Sequence, residues 1–206
     1  EDLPSDAEVP IDADDLIVGR PPESVPGPED ESVLARDETL VAAERRFSTG
    51  GHLTVSWPIL LQKGMRGVLA TAQEGLLALD AADGPRADAK RRFWKAAAVC
   101  CEAVVTLAER YAAEAERQAE SADDERREEL REIARVLRQV PAGPARTFRE
   151  AVQSVWFLDF IMHTVCGARD YALGRIDQYL WPFYQADVEA GRLTKGQALE
   201  LIECLF

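Results

Sequence analysis

The chain has 206 residues, 47% of them hydrophobic, enough to bury a core in one or two domains. Its 37 acidic residues against 24 basic ones leave a formal charge of −13. That balance argues against nucleic acid, which asks for a basic stripe, and against anionic membrane surfaces. No apolar run reaches the roughly 18–20 residues of a membrane span, and the opening EDLPSDAEVP lacks a signal-peptide layout. The expected compartment is therefore the cytoplasm.

Residues 1–38 are rich in Pro, Asp and Glu, with PPESVPGPEDE at 21–31, and read as an extended arm. The apolar patch Leu16-Ile17-Val18 within it predicts a docking point on a surface. From residue 39 to 206 the hydrophobic period is helical. WPILLQKGMRGVLATAQEGLLAL (57–79) places apolar residues three and four apart, with Pro58 suited to a first turn.

Phe93, Ala97, Cys100, Val104, Leu107, Tyr111 and Ala115 form a stripe that predicts one long helix over about 89–120. DDERREELREIARVLRQV (123–140) is charged outside and apolar at Leu130, Ile133, Ala134 and Leu137, and it stops at PAGP. Thr147 and Glu150 have capping-box spacing and open a helix that is apolar on nearly every face, hence surrounded by protein. Asp177, Gln178 and Tyr179 begin a further helix and knit it to its neighbours. Thr194 and Gln197 repeat the capping-box pattern before ALELIECLF. Little strand signal is present, so the chain is expected to be mostly α. It has no initiating Met and stops in mid-pattern, as a piece of a longer polypeptide would.

Chemistry-bearing residues are few. Cys100, Cys101, Cys166 and Cys204 have no metal-ligand spacing, and no metal is expected. Three of them lie in apolar helical context, where a free thiol behaves as a small buried hydrophobe. The adjacent Cys100 and Cys101 read as structural, because a reactive thiol needs an electropositive, accessible setting. His163, on the apolar helix, reads as a satisfied core residue. His52 follows two glycines in a loop that leads into a helix. It reads either as a surface or capping residue, or as an imidazole that accepts a proton or holds a hydroxyl. Arg169 and Asp170 follow Gly167 at an expected helix end. They either pair with each other or hold a ligand, Arg as a planar fork for carboxylate or sulfonate and Asp as an acceptor from hydroxyl or ammonium.

Five segments in order resemble one known family. DDLIVGR is similar to its ELIVGN, and GGHLTVSWPILLQKGMRGVL to its GHTxPDYxxLLxxGLxGI. FWKAAAVCCEAVVTLAERYA resembles its long helix ending in FAERYA. VPAGPARTFREAVQSVWFLDF resembles VPxxPPxTFxEALQxxWF, and LGRIDQYLWPFYQADVEAGRL the text that follows. The family is that of the glycyl radical enzymes, the pyruvate formate-lyase-like proteins, and the GRxDQYLxPxY wording is closer to its diol-dehydratase and choline-lyase branch.

The resemblance implies a fold: the helical N-terminal portion of a ten-stranded α/β barrel. It also implies a lyase or dehydratase that cleaves a C–O, C–N, C–S or C–C bond of a small polar substrate after thiyl hydrogen abstraction. The radical glycine, installed by a radical S-adenosylmethionine activase, and the catalytic cysteine would both lie outside this chain, which alone would be inactive. Its partners would be the remainder of its own polypeptide, the activase, the substrate and, as in many relatives, a second copy in a homodimer. By position, His52 matches the histidine of GHT, which lines the pocket and meets substrate hydroxyl. Arg169 and Asp170 match two pocket-wall residues, and Tyr171 lies beside them. Leu53 and Ser56 depart from the family's Thr and Asp. The alternative reading is a truncated or split relative, a helical module that binds a ligand or partner without catalysis.

Overall fold

The computed structural model describes residues 9–19, 54–79, 84–164 and 172–205. These residues form six helices: α1 (Trp57–Leu77), α2 (Pro85–Ala119), α3 (Asp124–Gln139), α4 (Phe148–Thr164), α5 (Ile176–Glu189) and α6 (Lys195–Glu203). All six elements fall where the hydrophobic periods predict them. Pro58 sits in the first turn of α1, where a missing N–H costs nothing.

α3 shows why its sequence folds as it does. Asp123 accepts from the Arg126 backbone N–H at 3.0 Å and caps the helix. Ion pairs three residues apart, such as Arg131–Glu128 at 2.7 Å, lace its wet face. Leu130, Ile133, Ala134 and Leu137 are buried on the other. They meet Ala108, Tyr111, Ala112 and Ala115 of α2 in one core. α4 crosses this layer, with Phe157 edge-on to Tyr111 at 5.6 Å. At the start of α6, Thr194 and Gln197 complete the reciprocal capping box. At α4 only half of that device forms. Thr147 accepts from the Glu150 N–H, while the Glu150 carboxylate turns to the Arg146 backbone and guanidinium, at 2.7 and 2.8 Å.

α1 is not the unbroken helix its period predicts. Gly64 has φ +65° and interrupts it. The freed backbone groups are taken by the PAGP loop: Met65 and Arg66 donate to the carbonyls of Pro141 and Ala142, and Ala145 donates to that of Leu61. A Cβ at Gly64 would stand 2.4 Å from the Gly143 carbonyl carbon, so only glycine permits both the turn and the approach.

The Leu16-Ile17-Val18 patch docks, as its composition suggests. Ile17 and Val18 are buried against α4. Gln153 accepts from the Val18 N–H at 2.8 Å and donates to the Val18 carbonyl at 2.7 Å, both in the interior. Arg126 donates to the carbonyls of Asp12 and Asp15, Arg149 to that of Leu16, and the Trp156 indole to that of Gly19. The arm is therefore held largely through its backbone, with the carbonyls of Asp12, Asp15, Leu16, Val18 and Gly19 each finding a side-chain donor from a helix.

Three other expectations fail, because the residue lies on an outward helix face or at a helix end. On α2, Phe93 is 62% exposed and Cys100 is exposed, while the adjacent Cys101 is buried, so Phe93 and Cys100 lie on the face turned away from the core. Cys204 is exposed at the end of α6. His163, in the last turn of α4, is exposed rather than core, its Nδ1 2.9 Å from the Asp159 carbonyl.

Candidate functional site

His52, Arg169, Asp170 and Tyr171 all lie outside the described residues, as does Cys166. The described chain resumes close to each group, at Thr54 on one side and Ala172 on the other. What surrounds these two points defines the local geometry.

Thr54-Val55-Ser56 leads into α1. Ser56 makes no side-chain cap, but its carbonyl accepts from Ile59 and Leu60. On the other side, Leu173-Gly174-Arg175 leads into α5. Gly174 takes φ +67°, a left-handed turn that redirects the chain into the helix. A Cβ placed on Gly174 would lie 3.7 Å from Thr54 Cγ2, ordinary contact distance. Two segments about 120 residues apart in sequence thus approach each other at this point.

Both segments line a cavity of about 540 Å³, together with Trp57, Gln62, Gln178 and Tyr179. Its polar groups are held in fixed roles. Tyr179 Oη donates to the Leu173 carbonyl at 2.9 Å, which ties α5 to the turn before it. Burial, with the Asp159 charge nearby, pushes the Tyr179 phenol up to about 12, so the hydroxyl stays protonated at neutral pH. Burial also raises the Asp159 carboxyl, against the opposing effect of His163. The Trp57 ring sits 6.2 Å from that of Tyr179, and its buried indole N–H has no partner among the described residues. Arg175 forms a fork with Asp177 at 2.9 and 2.7 Å on the exposed side. The hydrogen bond to Asp177 holds the guanidinium above its usual range, and the same bond lowers the carboxyl.

The sequence reading singled out none of Trp57, Gln62, Gln178 and Tyr179 as cavity residues. A signal was available in the RIDQY spacing, since Arg175 and Tyr179 are four apart and share a helix face. Among the described residues no group of three or more His, Cys, Asp or Glu side chains could hold a metal ion. Nor is any described helix long and apolar enough to cross a membrane.

Comparison with known proteins follows the same line. A family model described as pyruvate formate lyase-like matches residues 24–206. Isethionate sulfite-lyase of Nitratidesulfovibrio vulgaris is 39% identical over 149 residues, which cover 71% of this chain and 18% of that enzyme. Trans-4-hydroxy-L-proline dehydratase of Clostridioides difficile is 36% identical over 158 residues, 76% of this chain and 20% of that enzyme. Among solved structures, one describing 1,2-propanediol dehydration in Roseburia inulinivorans superposes with a TM-score of 0.72 at 38% identity. It covers 75% of this chain and 20% of the other. A glycyl radical enzyme from Archaeoglobus fulgidus also gives 0.72, at 35% identity, over 82% of this chain and 23% of its own. The chain therefore spans about a fifth of the length of these relatives.

Proposed function

Because the chain belongs to the pyruvate formate lyase-like family of glycyl radical enzymes, as an N-terminal part, we propose that it walls one side of the substrate pocket in a lyase or dehydratase. Hydrogen abstraction would be supplied by a radical glycine and a cysteine outside this chain, after a radical S-adenosylmethionine activase has acted. The contribution of this chain is to bind and orient. His52 would meet a substrate hydroxyl, Arg169 would fork an anionic group, Asp170 would accept from a hydroxyl or ammonium, and Tyr171 would lie beside them.

The observation that carries this reading is that Thr54 and Gly174 line one cavity. His52 stands two residues before the first, and Tyr171, Asp170 and Arg169 stand three to five before the second. Isethionate, hydroxyproline and sulfopropanediol, named for three relatives, are small hydroxylated molecules that carry an anionic group. They fit an Arg, an Asp and a His better than a neutral diol would. The substrate we infer is thus a small hydroxylated acid or zwitterion, cleaved at a C–O, C–N, C–S or C–C bond beside the site of hydrogen abstraction.

The test uses the full-length protein, activated anaerobically and given a panel of hydroxylated sulfonates and amino acids. Arg169→Ala removes charge-assisted hydrogen bonds of roughly 1.5–3 kcal/mol, so KM for the accepted acid should rise about 10- to 100-fold. An unchanged KM removes Arg169 from the pocket. Failure of the wild-type protein to turn over any such acid removes the substrate class.

A further inference from the structure

A second cavity, of about 450 Å³, shares no lining residue with the cavity of Thr54 and Gly174. The arm, α3, the start of α4, the end of α5, the turn after it and α6 each contribute a wall, so its shape is set within this chain. Most of its charges are already paired. Arg192 forks Asp187 at 2.9 and 2.7 Å, Arg135 pairs with Glu132, and Glu129 holds Arg126 at 2.8 Å. Two lining charges stand apart from these pairs. Arg149, half-buried, donates to the Leu16 carbonyl at 2.7 Å and has no ion pair among the described residues. Burial holds its guanidinium below the usual range, although the charges of Glu132 and Glu129 oppose that shift. Glu200 lines the cavity from α6, and its carboxylate has no hydrogen bond or ion pair among the described residues.

We propose that this cavity binds a free α-amino acid with an aliphatic side chain, its carboxylate on Arg149 and its ammonium on Glu200. A desolvated guanidinium with one carbonyl partner keeps further N–H groups for a carboxylate, and Arg presents them as a planar fork. Two more donors line the same cavity. Thr147 accepts from the Glu150 N–H and retains its own hydroxyl proton, while the Gln197 oxygen accepts from the Thr194 N–H and leaves the amide N–H groups to donate. A simple anion would leave Glu200 without a counter-charge, and a simple cation would leave Arg149 without one. A zwitterion answers both. Leu16, Leu193 and Leu201 give the lining an apolar part, which suits an aliphatic side chain. The inference is independent of the chemistry proposed for the other cavity.

Calorimetric titration of the full-length, unactivated protein with L-leucine tests it. L-leucine has no hydroxyl, which sets it apart from the substrates proposed above. Saturable binding with a Kd of roughly millimolar or tighter is expected. Glu200→Gln should weaken it at least about fivefold, and Arg149→Lys, which keeps the charge and loses the fork, at least about tenfold. Glu200 is exposed, so its substitution is expected to leave the fold intact. Absence of saturable heat up to about 50 mM overturns the proposal. Equal binding of acetate assigns the cavity to a simple anion and overturns it, as does an unchanged Kd in Glu200→Gln. Arg169→Ala separates the two cavities. L-leucine binding retained in that variant supports a site here, and binding lost there but kept in Glu200→Gln places the ligand in the other cavity and overturns the proposal.

Discussion

Residues 9–19 have no regular secondary structure, yet the backbone of several of them is held by helix side chains, whereas the first turns of α2 are regular helix and stand largely in solvent. In the arm, Gln153, Arg149, Arg126 and Trp156 supply partners for the backbone of Asp12, Asp15, Leu16, Val18 and Gly19. In α2 the helix satisfies its own backbone and leaves Phe93 and Val99 more than 60% exposed. Regularity of the backbone and anchorage in the tertiary structure are separate properties. The PAGP loop makes the same point, since it is irregular and is locked into the break of α1.

Three substitutions would break or sharpen this contrast. The largest effect is expected from Gly64→Ala, which forces a Cβ into the Gly143 backbone at a φ of +65°. Backbone strain and overpacking together should cost about 3–5 kcal/mol in denaturant unfolding. A loss below about 1 kcal/mol would mean that the loop yields and is not locked. Gln153→Leu comes next. It strands a buried N–H and a buried C=O at Val18, and a loss of about 2–4 kcal/mol is expected. Proteolysis within 9–19 should accelerate in parallel, and an unchanged cleavage rate would show that the arm is held by its apolar side chains instead. The smallest effect belongs to Phe93→Ser, within about 0.5 kcal/mol of wild type if that face is free. A large loss would show that the helix tip is packed in the whole protein.

The sequence made the helices legible because each carries its own period and stop signals. Asp123, Thr147 and Thr194 cap where capping residues are expected, and Leu130, Ile133 and Leu137 face inward as their spacing requires. What escaped depends on distant partners. GMRG is compatible with helix, and only the loop arriving from residues 141–144 turns Gly64 into a break. Gln153 looks like a polar interruption of an apolar helix until Val18 lies against it. Local apolar context points Cys100 and His163 to the core, but Cys100 lies on the outward face of α2 beside buried Cys101, and His163 lies in the last turn of α4. At the candidate site, resemblance named His52, Arg169 and Asp170. The shared lining of Thr54 and Gly174 could not be read from either segment alone, because the two are about 120 residues apart in sequence and meet one cavity only in the fold.

The account depends above all on the convergence of the segments that carry His52 and Asp170. Spin labels attached through His52→Cys and Asp170→Cys in the full-length protein, with native exposed cysteines replaced, measure it most directly. The account predicts a frozen spectrum broadened by dipolar coupling between the two labels, relative to the sum of the single-label spectra. A double-label spectrum identical to that sum would place the two segments apart and contradict a shared pocket.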